Sequence, residues 1–145
     1  MIVAIDLRPL LSSKLSGVEL YVDQLVQHIL QLKTDDMIIL FVNSFRQPPS
    51  IIPIFHGPRI FTVRTRIPNK IFNLSTILFG RPFLDRLIQK KIGLRPDVVL
   101  FPDLRPAALS KNARKISVVH DLTFEHFPQF FSLKSRCWYR LMNPR

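Results

Sequence analysis

The chain has 145 residues, 47% of them hydrophobic, so it can bury one core but lacks the material for a second domain of similar size. The opening residues 1–6 carry no basic region and meet a charge after five residues, which predicts a buried strand rather than a secretion signal. A single cysteine excludes an internal disulfide, and the longest apolar run, residues 37–42, is far shorter than the roughly 20 residues of a membrane-spanning helix, so a cytoplasmic protein is expected.

Strand and helix patterns alternate in the first half of the chain. The apolar positions of residues 17–32, which include Tyr21, recur at helical spacing, whereas residues 37–42 are almost continuously apolar, as in a strand covered on both faces. Four prolines exclude long regular structure from residues 43–58. The predicted order is a strand at 2–5, a loop at 8–16, a helix at 17–32, a turn at 33–36, a strand at 37–42, a loop at 43–58 and an edge strand at 59–66.

The same alternation continues in the second half. Residues 71–92 have a helical pattern that is interrupted by Gly80 and Pro82, so we expect two helices or one kinked helix. The remaining predictions are a strand at 98–101, a loop at 102–106, a strand at 116–119, a loop at 120–128 and a helix from an N-capping Ser132 toward Asn143. This alternation predicts an α/β fold, a Rossmann-like parallel sheet with helices on both faces.

The charge is distributed unevenly along the chain. The net charge of the chain is +11. Residues 1–58 hold four basic and five acidic residues, whereas residues 59–145 hold seventeen basic and five acidic ones. Such an excess favours an anionic partner, for example a phosphorylated ligand, anionic lipid or nucleic acid. A solvated basic face that maintains solubility explains the charge equally well.

Three loops are predicted at the carboxyl ends of the strands, where open parallel sheets bind their ligands. In the first, Gly17 opens a helix and permits close approach of an oxyanion to free N–H groups, although turn geometry alone also explains a glycine there. The second carries Asp103 and Arg105. In the third, His120 projects from a strand end, where it can hydrogen-bond a sugar hydroxyl or phosphate, and Asp121 can orient the imidazole or hold the loop backbone.

A metal site is not predicted from this third loop. His120 and His126 are six residues apart, the loop has no cysteine, and no H-E-x-x-H pattern is present. Nucleophilic catalysis is not indicated either, because no serine lies in a recognisable elbow and Cys137 is interpreted as a small packing residue of a helix.

Residues 64–95 carry eight basic residues and a single acid, Asp85, interleaved with apolar residues. This pattern is typical of a helix that lies on an anionic membrane, and the residues expected to face it are Arg81, Arg86, Lys90 and Lys91. An ordinary sheet-packing helix with a solvated basic face is the alternative. No recognition helix or exposed aromatic sheet face is indicated, so no nucleic-acid partner is expected.

Four segments agree in order and spacing with one protein family: IDLRPL at 5–10, SGVELY at 16–21, RPDVVLFP at 95–102 and VVHDLTFEHFP at 118–128. Together they resemble the amino-terminal domain of retaining GT4 glycosyltransferases, the mannosyl and related transferases of polysaccharide assembly. The resemblance covers essentially all 145 residues, and the last segment is the most specific.

This resemblance implies the first half of a GT-B fold, in which two Rossmann-like domains face each other across a cleft. The first domain holds mainly the acceptor and the second mainly the nucleotide-sugar. Gly17 is then near the donor phosphates and His120 faces the cleft as the catalytic candidate. The family implies neither a metal nor a cofactor beyond the nucleotide-sugar substrate, and the donor phosphate helps to deprotonate the acceptor. The residues expected to bind acceptor or donor phosphate are Gly17, Arg8, Asp121, Asp103 and Arg105.

The sequence departs from the family pattern in two ways. Many relatives have Gly-x-Arg-Tyr after the first glycine, where residues 18–21 of this chain read VELY. The donor-binding domain is also absent from the 145 residues, so we expect one truncated domain that is inactive alone. It is expected to be a fragment, a truncated gene product, or one subunit of a split enzyme whose partner supplies the donor domain. The alternative is a non-catalytic module that binds lipid-linked or anionic glycans at the inner face of the cell membrane.

Overall fold

A parallel β-sheet forms the centre of the molecule. The computed structural model describes residues 1–11, 16–32, 35–45 and 57–142. The strands within these residues are β1 (Ile2–Asp6), β2 (Met37–Asn43), β3 (Ile60–Thr65), β4 (Val98–Phe101) and β5 (Arg114–Ser117). They all pair in parallel, in the order β3-β2-β1-β4-β5. The predicted α/β class with a Rossmann-like sheet is therefore confirmed.

The helices of the described residues are α1 (Gly17–Gln31), α2 (Asn69–Phe79), α3 (Leu84–Ile92), α4 (Thr123–His126) and α5 (Leu133–Met142). Short 3-10 turns occupy Arg8–Leu11 and Pro128–Phe130. The predicted division of residues 71–92 is confirmed, because α2 ends at Gly80, whose φ of 60° is left-handed. The loops predicted at 8–16 and 43–58 and the turn predicted at 33–36 lie partly outside the described residues.

Alternation along β2 divides the core between the two faces of the sheet. Ile39 and Phe41 join a buried cluster with side chains of α2 and α3. Ile38 and Leu40 join the opposite cluster, together with side chains of α1. Helices therefore cover both faces, which explains why this central strand is apolar at consecutive positions.

The last strand of the sheet begins earlier than predicted. The sequence pattern placed it at 116–119, but β5 pairs with β4 from Arg114 opposite Val98 to Ser117 opposite Phe101. Backbone hydrogen bonds fix this register, beginning with Arg114 N, which donates to the Asp97 carbonyl at 2.9 Å. Because β5 is an edge strand whose first residues are exposed, its start does not need apolar side chains and the apolar run was misleading.

After β5 the chain packs on itself through aromatic rings. The segment at 120–128, predicted as a loop, contains the short helix α4, and Phe124 of α4 stacks on Tyr139 of α5 with ring centroids 4.6 Å apart. The predicted N-cap of α5 is confirmed, since Ser135 N donates to the Ser132 hydroxyl oxygen at 3.2 Å. Cys137 is exposed on α5, so its interpretation as a packing residue is wrong.

A buried carboxylate joins α3 to the segments that precede β4 and β5. Asp85 is fully buried; Ser110 N donates to its Oδ1 at 2.9 Å and Arg95 Nη2 donates to its Oδ2 at 3.1 Å. Burial by itself raises the pKa of the Asp85 carboxyl, but the hydrogen bonds from Ser110 and Arg95 outweigh burial and lower the pKa below its ordinary value.

This network predicts an acid-dependent stability. A carboxyl whose pKa is lower in the folded state contributes stability that is present above its unfolded-state pKa and is lost as the pH falls through the folded pKa. Asp85→Asn should therefore lower the free energy of unfolding by roughly 3 kcal/mol at neutral pH, because it leaves Arg95 without its charged partner. It should also flatten the decline of stability below about pH 4 in urea titrations.

The matched control is Asp35→Asn, because the Asp35 carboxylate pairs with Arg59 on the exposed surface. This control should leave both the stability and its pH dependence unchanged. An Asp85→Asn variant that kept the full acid dependence would contradict the assignment.

Candidate functional site

The strand order places a crevice at the carboxyl ends of the strands. From β1 the chain continues to β2 and β3 on one side of the sheet, and it then crosses back to β4 and β5 on the other. Connections that leave β1 and β4 in opposite directions create a switch point, where open α/β sheets bind ligands. The three loops predicted to carry the site follow β1, β4 and β5 and so begin at this edge.

A buried ion pair closes the end of β1. The Arg8 guanidinium donates to both carboxylate oxygens of Asp6, with Nη2 to Oδ2 at 2.7 Å, and the two side chains are 4% and 1% exposed. Arg8 Nη2 also donates to the Pro106 carbonyl at 3.2 Å, and the guanidinium lies 4.9 Å from the ring centroid of Phe72. Arg8 is thus held in the core by these contacts. The sequence analysis expected it to bind phosphate, but its guanidinium is not presented as a free cation.

Gly17 begins α1 at an exposed position. Its φ is not positive, and a Cβ added there would meet no described atom within 4 Å. Turn geometry therefore does not explain this glycine, and the start of α1 is open to close approach. The Glu19 carboxylate accepts hydrogen bonds from the Ser16 backbone N, at 2.8 Å, and from the Ser16 hydroxyl, so a side chain of the protein already caps this helix.

His120 lies at the same edge, shortly after β5, and its ring is held in one orientation. Its Nε2 is 2.8 Å from the Pro102 carbonyl oxygen at the end of β4. Because a carbonyl oxygen only accepts, Nε2 carries the hydrogen in this contact, and Nδ1 is the acceptor of the neutral ring. Among the described residues Nδ1 has no hydrogen-bond partner, and the side chain is exposed.

Tyr21 is a residue of the site that the sequence analysis missed. It was assigned to the apolar face of α1, yet it is 39% exposed and its ring meets His120 edge-on, with centroids 5.0 Å apart. The position four residues after Gly17 was the available signal, since residues at that spacing share one face of a helix. The contact brings the first and third predicted loops together.

The other predicted site residues have partners within the loops. Arg105 Nε donates to Asp103 Oδ2 at 3.1 Å, and this partly exposed pair lies in the loop after β4. Asp121 Oδ1 accepts a hydrogen bond from Thr123 N at 2.9 Å. Of the two predicted possibilities for Asp121, the loop-holding one is observed.

The basic residues expected to face a membrane lie away from the crevice. Arg86, Lys90 and Lys91 are exposed on α3, and Arg81 is exposed in the connection from α2. Both helices cover the sheet face opposite α1. Within the described ranges, no helix is both long and apolar enough to cross a membrane, and no group of three or more His, Cys, Asp or Glu side chains is arranged to hold a metal.

The fold and its switch-point crevice define an α/β protein with a Rossmann-like parallel sheet. No protein-family model, curated protein or solved structure matches the chain.

The open surroundings of Gly17 predict that the fold tolerates a larger residue at this position. Gly17→Ala should raise the free energy of unfolding by about 0.5 kcal/mol, because alanine fits the helix without strain and restricts the unfolded chain. Gly80→Ala is the control, because a Cβ added at Gly80 would also meet no described atom, but the backbone φ of Gly80 is 60°. Alanine rarely adopts this left-handed conformation, so the control should destabilise the protein. Thermal unfolding of both variants checks this, and a destabilised Gly17→Ala protein would contradict it.

Proposed function

We propose that the chain is the acceptor-side domain of a retaining GT4-type glycosyltransferase, which transfers a mannose-like hexose from a nucleotide-sugar to a glycan or lipid-linked acceptor in polysaccharide biosynthesis. The observation that carries this proposal is the environment of His120. Its ring is oriented by the Pro102 carbonyl, its Nδ1 is unpartnered among the described residues, and it lies beside Tyr21 at the switch point. The VVHDLTFEHFP segment that contains His120 is also the most specific part of the family resemblance.

In the proposed acceptor complex, His120 Nδ1 accepts a hydrogen bond from the hydroxyl that attacks the sugar. The fixed ring orientation places this hydroxyl without further loss of side-chain freedom. The phenol of Tyr21 supplies a second polar group on the α1 side of the crevice. The family resemblance assigns removal of the hydroxyl proton to the donor phosphate, so the contribution of His120 is to orient and polarise the acceptor.

The donor needs groups beyond this crevice. Gly17 leaves room for its phosphates at the start of α1, but Glu19 partly neutralises that helix end. The nearby Arg8 and Arg105 are engaged with Asp6 and Asp103. These pairings favour a donor-binding domain that provides the cations for the nucleotide-sugar.

A reconstitution with site variants tests this function. The purified chain is mixed with the donor domain of a GT4 glycosyltransferase, and transfer from a panel of nucleotide-sugars to glycan and lipid-linked acceptors is measured. Turnover is expected only on mixing, and His120→Ala should reduce it about 100-fold, the scale on which a misplaced reacting group lowers a rate.

His126→Ala is the matched control, because His126 is also an exposed histidine of the segment after β5. It should retain full turnover. A mixture that turns over equally well with His120→Ala, or a folded pair that never turns over, would refute the proposed function.

A separate observation favours a second candidate, a binding module for lipid-linked or anionic glycans at the membrane surface. Four large apolar side chains of α2, here called the apolar stripe, are between 57% and 74% exposed: Ile71, Leu74, Leu78 and Phe79. The first three are spaced at i, i+3 and i+7, so they lie on one face of the helix. Such an outward apolar face is typical of an interfacial helix.

The charges around the apolar stripe fit an anionic membrane. The exposed basic residues of α3 and of its connection to α2 lie on the same side of the sheet as the stripe. The one acid of residues 64–95, Asp85, is buried and paired with Arg95. A surface that combines basic and apolar residues in this way would keep the acceptor crevice next to membrane-bound acceptors.

This second candidate is tested by sedimentation with phosphatidylglycerol and phosphatidylcholine vesicles. We expect binding to the anionic vesicles that weakens with salt, and Leu74→Ser/Leu78→Ser should weaken it about tenfold or more through lost apolar burial. Leu32→Ser is the control, because Leu32 is equally exposed but follows α1 on the opposite face. Equal binding by the stripe variant and the native chain would rule out this docking surface.

A further inference from the structure

A cavity lies outside the crevice, between the start of α3 and the segment that leads into β5. Its volume is about 540 Å³, which falls within the range of roughly 300–1,000 Å³ that small-molecule sites occupy. Three cations line it: Arg86, Arg95 and Lys111. The rest of the lining consists of two neutral polar residues and two apolar ones: Ser110, Asn112, Phe83 and Leu109. No acid lines the cavity within the described part of the chain.

The carboxylate nearest to the cavity is already satisfied. Asp85 is fully buried, and its oxygens accept hydrogen bonds from Ser110 and from Nε and Nη2 of Arg95. These contacts fix the position of Arg95 in the cavity wall. The Nη1 group of Arg95 has no hydrogen-bond partner among the described residues and remains available as a donor.

The other two cations are not neutralised. Neither Arg86 nor Lys111 makes an ion pair with any described carboxylate, and both are exposed. The Arg86 guanidinium is 5.0 Å from the ring centroid of Phe83, which keeps it beside the cavity wall. The two side chains therefore leave an excess of positive charge at a concave surface, where an anion is attracted most strongly.

We infer that this cavity binds the phosphate group of an anionic ligand. Arginine presents a planar fork that fits phosphate oxygens, lysine adds a compact charge, and the Asn112 amide supplies a neutral donor. Phosphate chemistry of this kind is available either from a soluble phosphorylated compound or from a lipid headgroup. The site is distinct from the crevice and does not rest on the proposed glycosyltransferase function, and its Arg86 also belongs to the basic surface of the second candidate.

The first experiment measures binding of inorganic phosphate and pyrophosphate to the full chain by ³¹P NMR titration at constant ionic strength. The variant Arg86→Gln/Lys111→Gln removes two cavity cations from exposed positions and should weaken binding about tenfold or more, because hydrogen bonds to charged groups contribute on that scale. Circular dichroism confirms that the variant is folded.

Arg66→Gln/Lys70→Gln is the matched control, since it removes the same charge from exposed positions outside the cavity and should change the affinity less than about twofold. Equal weakening by both variants would show only diffuse attraction and would overturn the site. Failure of the native chain to bind either anion would overturn it as well, unless vesicles show lipid binding through the same residues.

A vesicle arm identifies the source of the phosphate. Preferential binding to phosphatidic acid, a phosphate monoester, over phosphatidylglycerol, lost in Arg86→Gln/Lys111→Gln, assigns the cavity to a lipid headgroup. Phosphate binding in solution without that preference assigns it to a soluble ligand. Both results support the cavity, whereas absence of both contradicts it whatever the outcome of the glycosyltransferase assay.

Discussion

The buried Asp6–Arg8 ion pair is the interaction on which the crevice depends. It joins the end of β1 to the loop after β4 through the Pro106 carbonyl, 98 residues further along the chain. Taking these charges out of water is costly unless both are paired and hydrogen-bonded, and here the guanidinium contacts both carboxylate oxygens. The ion pair therefore fixes the geometry of the switch point from inside the core, and exposed residues of the crevice such as His120 and Tyr21 can contact ligands.

Charge pairing also separates the structural cations of the chain from the available ones. Arg8 and Arg95 each pair with a carboxylate where separate segments meet, and Arg105 pairs with Asp103 within one loop. The exposed cations of α3 have no such partner among the described residues, and one of them, Arg86, lines the cavity beside the start of α3. Part of the positive charge of the second half of the chain therefore lies where it can attract anions.

Much of the candidate site followed from the sequence, but its contacts did not. His120 was recognisable because a histidine after an apolar run is expected at a strand end, and Gly17 because it opens a helical pattern. Tyr21 was assigned to the buried face, since a helical period cannot tell a packed aromatic from one at the rim. Arg8 was assigned to ligand binding from the family resemblance, and neither its burial nor its contact with the remote Pro106 carbonyl could be predicted from the local sequence.

The sequence by itself determined the α/β class, the parallel sheet and most helix positions, because these depend on periodicity and capping within about a dozen residues. Tertiary structure alone decided the start of β5, which follows backbone pairing with β4 rather than apolarity. It also decided which charges are neutralised, as in the contact of Asp85 with Ser110, 25 residues away. Such pairings depend on how distant segments are brought together, and no local pattern records them.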